Sequence, residues 1–136
     1  MMDVTPQVDI CLRLVDDDLC PNFVSQLLCI QPDRSYKKGD LQPPERNGRK
    51  TRVATHGLWM INGDLVGNRT FEDAVLSLLS RLTDSMDAWN EIASFQQVEI
   101  FCGWFLDGQN SGLNLSPLVL YELSRRQISI DICLYP

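Results

Sequence analysis

The stretch V-E-I-F-C-G-W-F-L, residues 98–106, decides the fold class. Val98, Ile100, Cys102, Trp104 and Leu106 fall on one face at period two, while Phe101 and Phe105 occupy the other. A segment apolar on both faces reads as a strand covered from both sides, which places it at the centre of a sheet. Downstream, Ser116-Pro117 opens a helix, with the hydroxyl as N-cap and the proline where a missing N–H costs nothing. A second alternation follows: Ile128, Ile130, Ile132 and Leu134 point inward, against Ser129, Asp131, Cys133 and Tyr135. This is a β-α-β unit, whose crossover is right-handed if its strands are parallel.

Working upstream, Thr70 with Asp73 three residues on resembles a capping box. Phe71, Val75, Leu78, Leu79, Leu82, Met86 and Trp89 then recur at helical spacing, with a break expected at Thr83-Asp84-Ser85. Val53 to Ile61 alternates as a strand, with Val53, Thr55, Gly57, Trp59 and Ile61 on one face. Val8 to Val15 alternates likewise and is stopped by Asp16-Asp17-Asp18, after which Cys20-Pro21 starts a helix striped by Val24, Leu27 and Leu28. The sum is one α+β or α/β domain. It should be a two-layer sandwich in which a small mixed sheet of about four strands packs against three or four helices.

Between the first helix and the second strand lies a 22-residue run, Gln31 to Arg52, that reads as neither helix nor strand. It holds Arg34, Lys37, Lys38, Arg46, Arg49, Lys50 and Arg52, seven of the 12 Lys and Arg, against three of the 18 Asp and Glu. The rest of the chain is therefore strongly acidic. A long loop of this kind inside a compact domain is usually either functional or disordered.

At 136 residues the chain has enough length for a self-sufficient core, and its 44% hydrophobic content is ordinary for a globular domain. A net charge of −6 disfavours unselective nucleic-acid binding and favours a basic protein partner. No apolar run approaches the length of a membrane span, and the start contains Asp3 and no apolar core, so a cytoplasmic protein with no membrane partner is expected. Five cysteines without a CxxC motif read as free thiols, several of them small core residues.

No catalytic constellation assembles from these residues. His56 is the one histidine, placed in the second strand opposite Trp59, and a triad needs a nucleophile and an orienting acid beside it. Cys20, Cys29 and His56 match no zinc-ligand spacing, and the Asp16-Asp17-Asp18 run lacks the distal glutamate of a calcium loop. Neither metal nor cofactor is called for. Lys37-Lys38-Gly39-Asp40 lacks the pattern of a phosphate-binding loop, and Lys38 and Asp40 could instead fix the basic run onto the aspartates near the first helix. Trp89 and Trp104 read as core, and Trp59 needs a partner for its indole N–H if buried.

These features in order resemble the domain of unknown function numbered 4279, a family found mostly in bacteria. The carriers are Asp17-Asp18 with Pro21 shortly after, Leu28 to Pro32 leading to Lys38-Gly39-Asp40, Trp59, and the ending Leu123 through Ile128-Ser129-Ile130-Asp131-Ile132. The resemblance spans about Ile10 to Tyr135. It implies a compact intracellular α/β domain from toxin-immunity and phage-conflict neighbourhoods, with no established catalytic residue.

The expectation is then a non-enzymatic intracellular binding protein, an immunity or inhibitor protein that occludes a basic toxin domain encoded nearby. Asp16, Asp17 and Asp107 are its steering charges, with Lys38 and Asp40 at the rim. The alternative is a small-ligand or anion-binding module in which Lys38, Arg49 and Arg52 converge on a phosphate or carboxylate.

Overall fold

The computed structural model describes residues 7–42, 52–63, 70–105 and 113–135, without the side chains of Gln7, Trp104 and Phe105. In chain order the elements are β1 (Gln7–Asp16), α1 (Pro21–Leu28), β2 (Arg34–Tyr36), β3 (Leu41–Gln42), β4 (Arg52–Val53), β5 (Gly57–Asn62), α2 (Phe71–Ser80), α3 (Met86–Ile92), β6 (Gln97–Phe105), α4 (Pro117–Arg125) and β7 (Ser129–Tyr135). Five strands form a mixed sheet in the order β2-β5-β1-β6-β7, and β3 and β4 form a separate pair. The fold is α+β. Among the described pairings only β6–β7, joined through α4, is parallel; β1 runs antiparallel to both β5 and β6, and β2 antiparallel to β5.

Strand alternation writes the core directly. Ile10, Leu12 and Leu14 of β1, Trp59 and Ile61 of β5, and Val98, Ile100 and Cys102 of β6 are buried on one face. They form one cluster with Val24 and Leu28 of α1, Phe71, Val75, Leu78 and Leu79 of α2, Trp89 and Ile92 of α3, and Val119 and Leu123 of α4. Three helices, α1, α2 and α4, start where the sequence says they should. Thr70 Oγ1, Ser85 Oγ and Ser116 Oγ accept from Asp73 N, Ala88 N and Val119 N, and Pro21 and Pro117 sit in the first turns of α1 and α4. The expected break between α2 and α3 is real, and Thr83 within it donates its backbone N–H to Leu28 O at 3.1 Å, tying the break to the end of α1. Trp89 is fully buried and satisfies its indole through Thr83 O at 2.9 Å.

Four sequence readings are corrected. The strand over 97–105, β6, is interior as read, paired with β1 on one edge and β7 on the other, but the middle of the five strands is β1; which strand lies in the middle depends on pairing, and apolar content does not determine it. The basic run is not without secondary structure. Arg34–Tyr36 pairs with Leu58–Met60 as an edge strand, and Leu41–Gln42 pairs with Arg52–Val53, segments too short to show a period. Residues 43–51 lie outside the described residues. Val53 to Ile61 is not one strand: β4 and β5 belong to different sheets, and Val53 and Thr55 are exposed where Gly57, Trp59 and Ile61 are buried. Lastly, β7 is an edge strand whose inward face fades along its length, with Ile128 buried, Ile130 half-buried, and Ile132 and Leu134 exposed.

Candidate partner-binding surface

The exit of β1 is where three chain segments meet. Asp16 faces Gly57 across the sheet, and a Cβ at Gly57 would stand 2.7 Å from Asp16 O and 2.8 Å from Leu19 Cβ. Glycine therefore permits the chain after Asp16 to fold back, with Leu19 N donating to Asp16 O at 3.2 Å. The Asp16 carboxylate is consumed locally: Oδ1 accepts from Gln96 N at 3.1 Å and Oδ2 from Asp18 N at 3.2 Å. Its role is to pin the turn before β6 to the end of β1.

Asp17 is presented outward from this pinned turn. Its Oδ1 lies 3.1 Å from His56 Nδ1, and its Oδ2 lies 3.7 Å from Lys38 Nζ. All three side chains are solvent-exposed, with 39% of Asp17, 55% of Lys38 and 60% of His56 accessible, so each pair is weak and exchangeable. The His56 hydrogen bond, aided by the Lys38 charge and outweighing desolvation, holds the Asp17 carboxyl below the usual carboxylate range. Lys38 belongs to a tight turn in which Lys37 N donates to Asp40 Oδ2 at 2.9 Å and Gly39 takes φ 92°. Gly39 N and Ala54 N donate to Ala54 O and Asp40 O, both at 2.8 Å, and so carry the turn onto the bend that holds His56.

Asp16, Asp17 and Lys38 are thus brought together, with Asp40 bracing the turn behind Lys38. Asp107 lies outside the described residues. The three-cation alternative fares differently: Lys38 is engaged by Asp17, Arg52 is exposed in β4, and Arg49 lies outside the described residues. A groove of about 620 Å³ does border the basic run, lined by Asp33, Arg34, Tyr36 and Asp40 among others. Among its described lining residues the two acids are occupied by Asn62 N at 2.7 Å and Lys37 N at 2.9 Å, and the one cation, Arg34, stacks near Tyr36. His56 is in the bend before β5, not in the strand, and among the described residues its polar contact is to Asp17. No group of three or more His, Cys, Asp and Glu able to hold a metal ion occurs among the described residues.

Two ionic constellations escape the sequence reading. On the sheet face opposite the core, Arg13 pairs across β1–β6 with Glu99 through Nε at 3.1 Å and Nη2 at 2.6 Å. Its guanidinium lies 4.4 Å from the Phe101 ring centroid, and its Nη2 is 3.9 Å from Asp131. The other is Glu122 with Arg125 and Arg126 on α4. Spacings of three and four residues signalled that second cluster, but the burial of Arg126 had no sequence signal.

An α+β domain with a mixed five-stranded sheet is what the geometry defines. The chain belongs to the family described as Domain of unknown function (DUF4279), whose model matches residues 6–136. No curated protein and no solved structure matches it. Among the described residues, no helix is long and apolar enough to cross a membrane.

Proposed function

We propose that this chain is a non-enzymatic intracellular binding protein, acting as an immunity or inhibitor protein that occludes a basic protein partner. The observation that carries the reading is Asp17. It is an exposed carboxylate whose pKa the His56 hydrogen bond lowers, it stands between Asp16 and Asp18 on a braced strand end, and it is paired loosely enough with Lys38 for an incoming cation to replace it. The net charge of −6 supports the same choice of partner, since long-range attraction steers a basic surface toward it. The bracing matters energetically: a loop already ordered by Asp16 and by the Lys37–Asp40 turn loses little further entropy on docking. The family's setting among toxin-immunity neighbourhoods, implied by the resemblance, makes the product of the adjacent gene the first partner to test. Co-expression should yield a complex that survives purification and relieves that product's toxicity; neither outcome occurring would overturn the reading.

A further inference from the structure

The two edges of the five-stranded sheet are built differently. β2 closes one with three residues and a charged side chain, Arg34, both of which guard an edge against further pairing. β7 closes the other with seven residues, Ser129–Tyr135, that include no Lys, Arg or Pro. Its ladder to β6 runs through consecutive partners, from Glu99 with Ser129 to Phe105 with Tyr135, without a bulge. Among the described residues no strand pairs with its other side. A long, flat edge of this kind is a template for another strand.

The side chains along β7 suit an edge that becomes covered. Ile130 packs on the core, and Ile132 and Leu134, which share its face by alternation, stand 37% and 57% accessible. In α4, the helix that delivers the chain to β7, Leu118, Leu120 and Tyr121 are exposed as well. Charge says which partner fits. Asp131, the one charged residue of β7, joins the Arg13–Glu99 pair through Arg13 Nη2 at 3.9 Å, giving that cluster one net negative charge. Glu122 with Arg125 and Arg126 carries one net positive charge. The edge and its helix are therefore neutral together on a chain of net charge −6. Such a patch offers no steering to a basic partner, and it is where a second copy meets the least repulsion.

Register agrees. When β7 is paired antiparallel with itself about Ile132, Ile130 stands opposite Leu134 and Asp131 opposite Cys133. Apolar side chains then meet on one face, and no two aspartates meet on the other, whereas centring on Asp131 would oppose two carboxylates. From the unguarded edge, its neutrality and its self-matching register, we infer that β7 pairs antiparallel with β7 of a second copy about a twofold axis at Ile132, joining two five-stranded sheets into one. That axis, normal to the sheet, puts the helix layers of both copies on the same side. β6 separates β7 from β1, so the seam is distinct from the Asp17 surface and does not depend on the function proposed for it.

The test is sedimentation of the whole chain over a range of concentrations, beside a double variant, Ile132→Lys with Leu134→Lys. The unaltered chain should dimerise with a dissociation constant on the order of 10 μM. The dimer should tighten as salt rises, because the two copies carry like net charge. The double variant alters two side chains that are already exposed and places like charges opposite one another at the axis, so it should weaken the dimer at least about tenfold. Should it fail to fold, amide hydrogen exchange on the unaltered chain reads the same seam: exchange along β7 should slow at least about tenfold from dilute to concentrated samples, and exchange along β2 should not. A chain that stays monomeric to about 500 μM, a dimer that the double variant forms equally well, or β7 amides indifferent to concentration would overturn the inference.

Discussion

Trp59 Nε1 donates to Ser25 Oγ at 3.0 Å inside the core, joining the middle of β5 to the buried face of α1. Trp59 is wholly inaccessible and Ser25 is 8% accessible, so no water can replace the hydroxyl without rearrangement. The need for such a partner was readable from the sequence, but its identity was not.

Ser25→Ala should therefore destabilise the fold by about 1–3 kcal/mol, the cost of leaving a buried donor unpaired. In urea unfolding, Ser25→Ala combined with Trp59→Phe should lose less than the sum of the two single variants, since they share one interaction. Strict additivity would mean that the bond contributes nothing.

Gly57→Ala should cost about 1–3 kcal/mol, because its Cβ meets a backbone carbonyl at 2.7 Å and cannot be accommodated by rotating a side chain. Asp16 and the turn after it should shift with it, so backbone resonances of residues 16–19 should report the change. A variant as stable as the parent would show that the turn after β1 gives way freely.

Thiol reactivity should divide the five cysteines, all of them free. Cys20 and Cys29 are exposed and should alkylate first. Cys102 is buried, and desolvation pushes its thiol up to about 11, so in the folded chain it should react last. Cys11, half-buried and also raised by desolvation, should fall between. Mass spectrometry of timed iodoacetamide quenches gives the order, and early modification of Cys102 would contradict the burial of β6.

How far the fold could be read follows from where its information lies. Ile10, Leu12 and Leu14 declare β1, and Thr70 and Ser116 declare helix starts, because period and capping are properties of neighbouring residues. Arg34-Ser35-Tyr36 declares nothing; it is a strand because β5 offers it an edge. The site is harder still. Asp17 and His56 are 39 residues apart in sequence and meet only because β1 and β5 are antiparallel neighbours. The steering role read for Asp16 from its charge alone sits poorly with two oxygens that already accept backbone N–H groups.

The Asp17–His56 bond sets a pH dependence. Since the folded carboxyl titrates below its ordinary value, the unfolded chain takes up the proton first as pH falls. The contribution is fully present above about pH 4 and is lost as pH drops through the lower, folded value. His56→Ala removes the largest cause and should move the Asp17 titration upward, toward the ordinary range, when followed by carboxyl NMR. An unmoved titration would assign the shift to Lys38.

The association rate with a basic partner tests the Asp17 surface most directly. Asp17→Lys and Asp18→Lys together spare the Asp16 side chain and reverse two charges at the turn after β1, where Asp18 is exposed. In stopped-flow mixing with the adjacent gene product at low salt, the double variant should associate about tenfold more slowly, with dissociation little changed, and the difference should shrink as salt rises. An unchanged association rate at low salt would contradict the assignment of this surface.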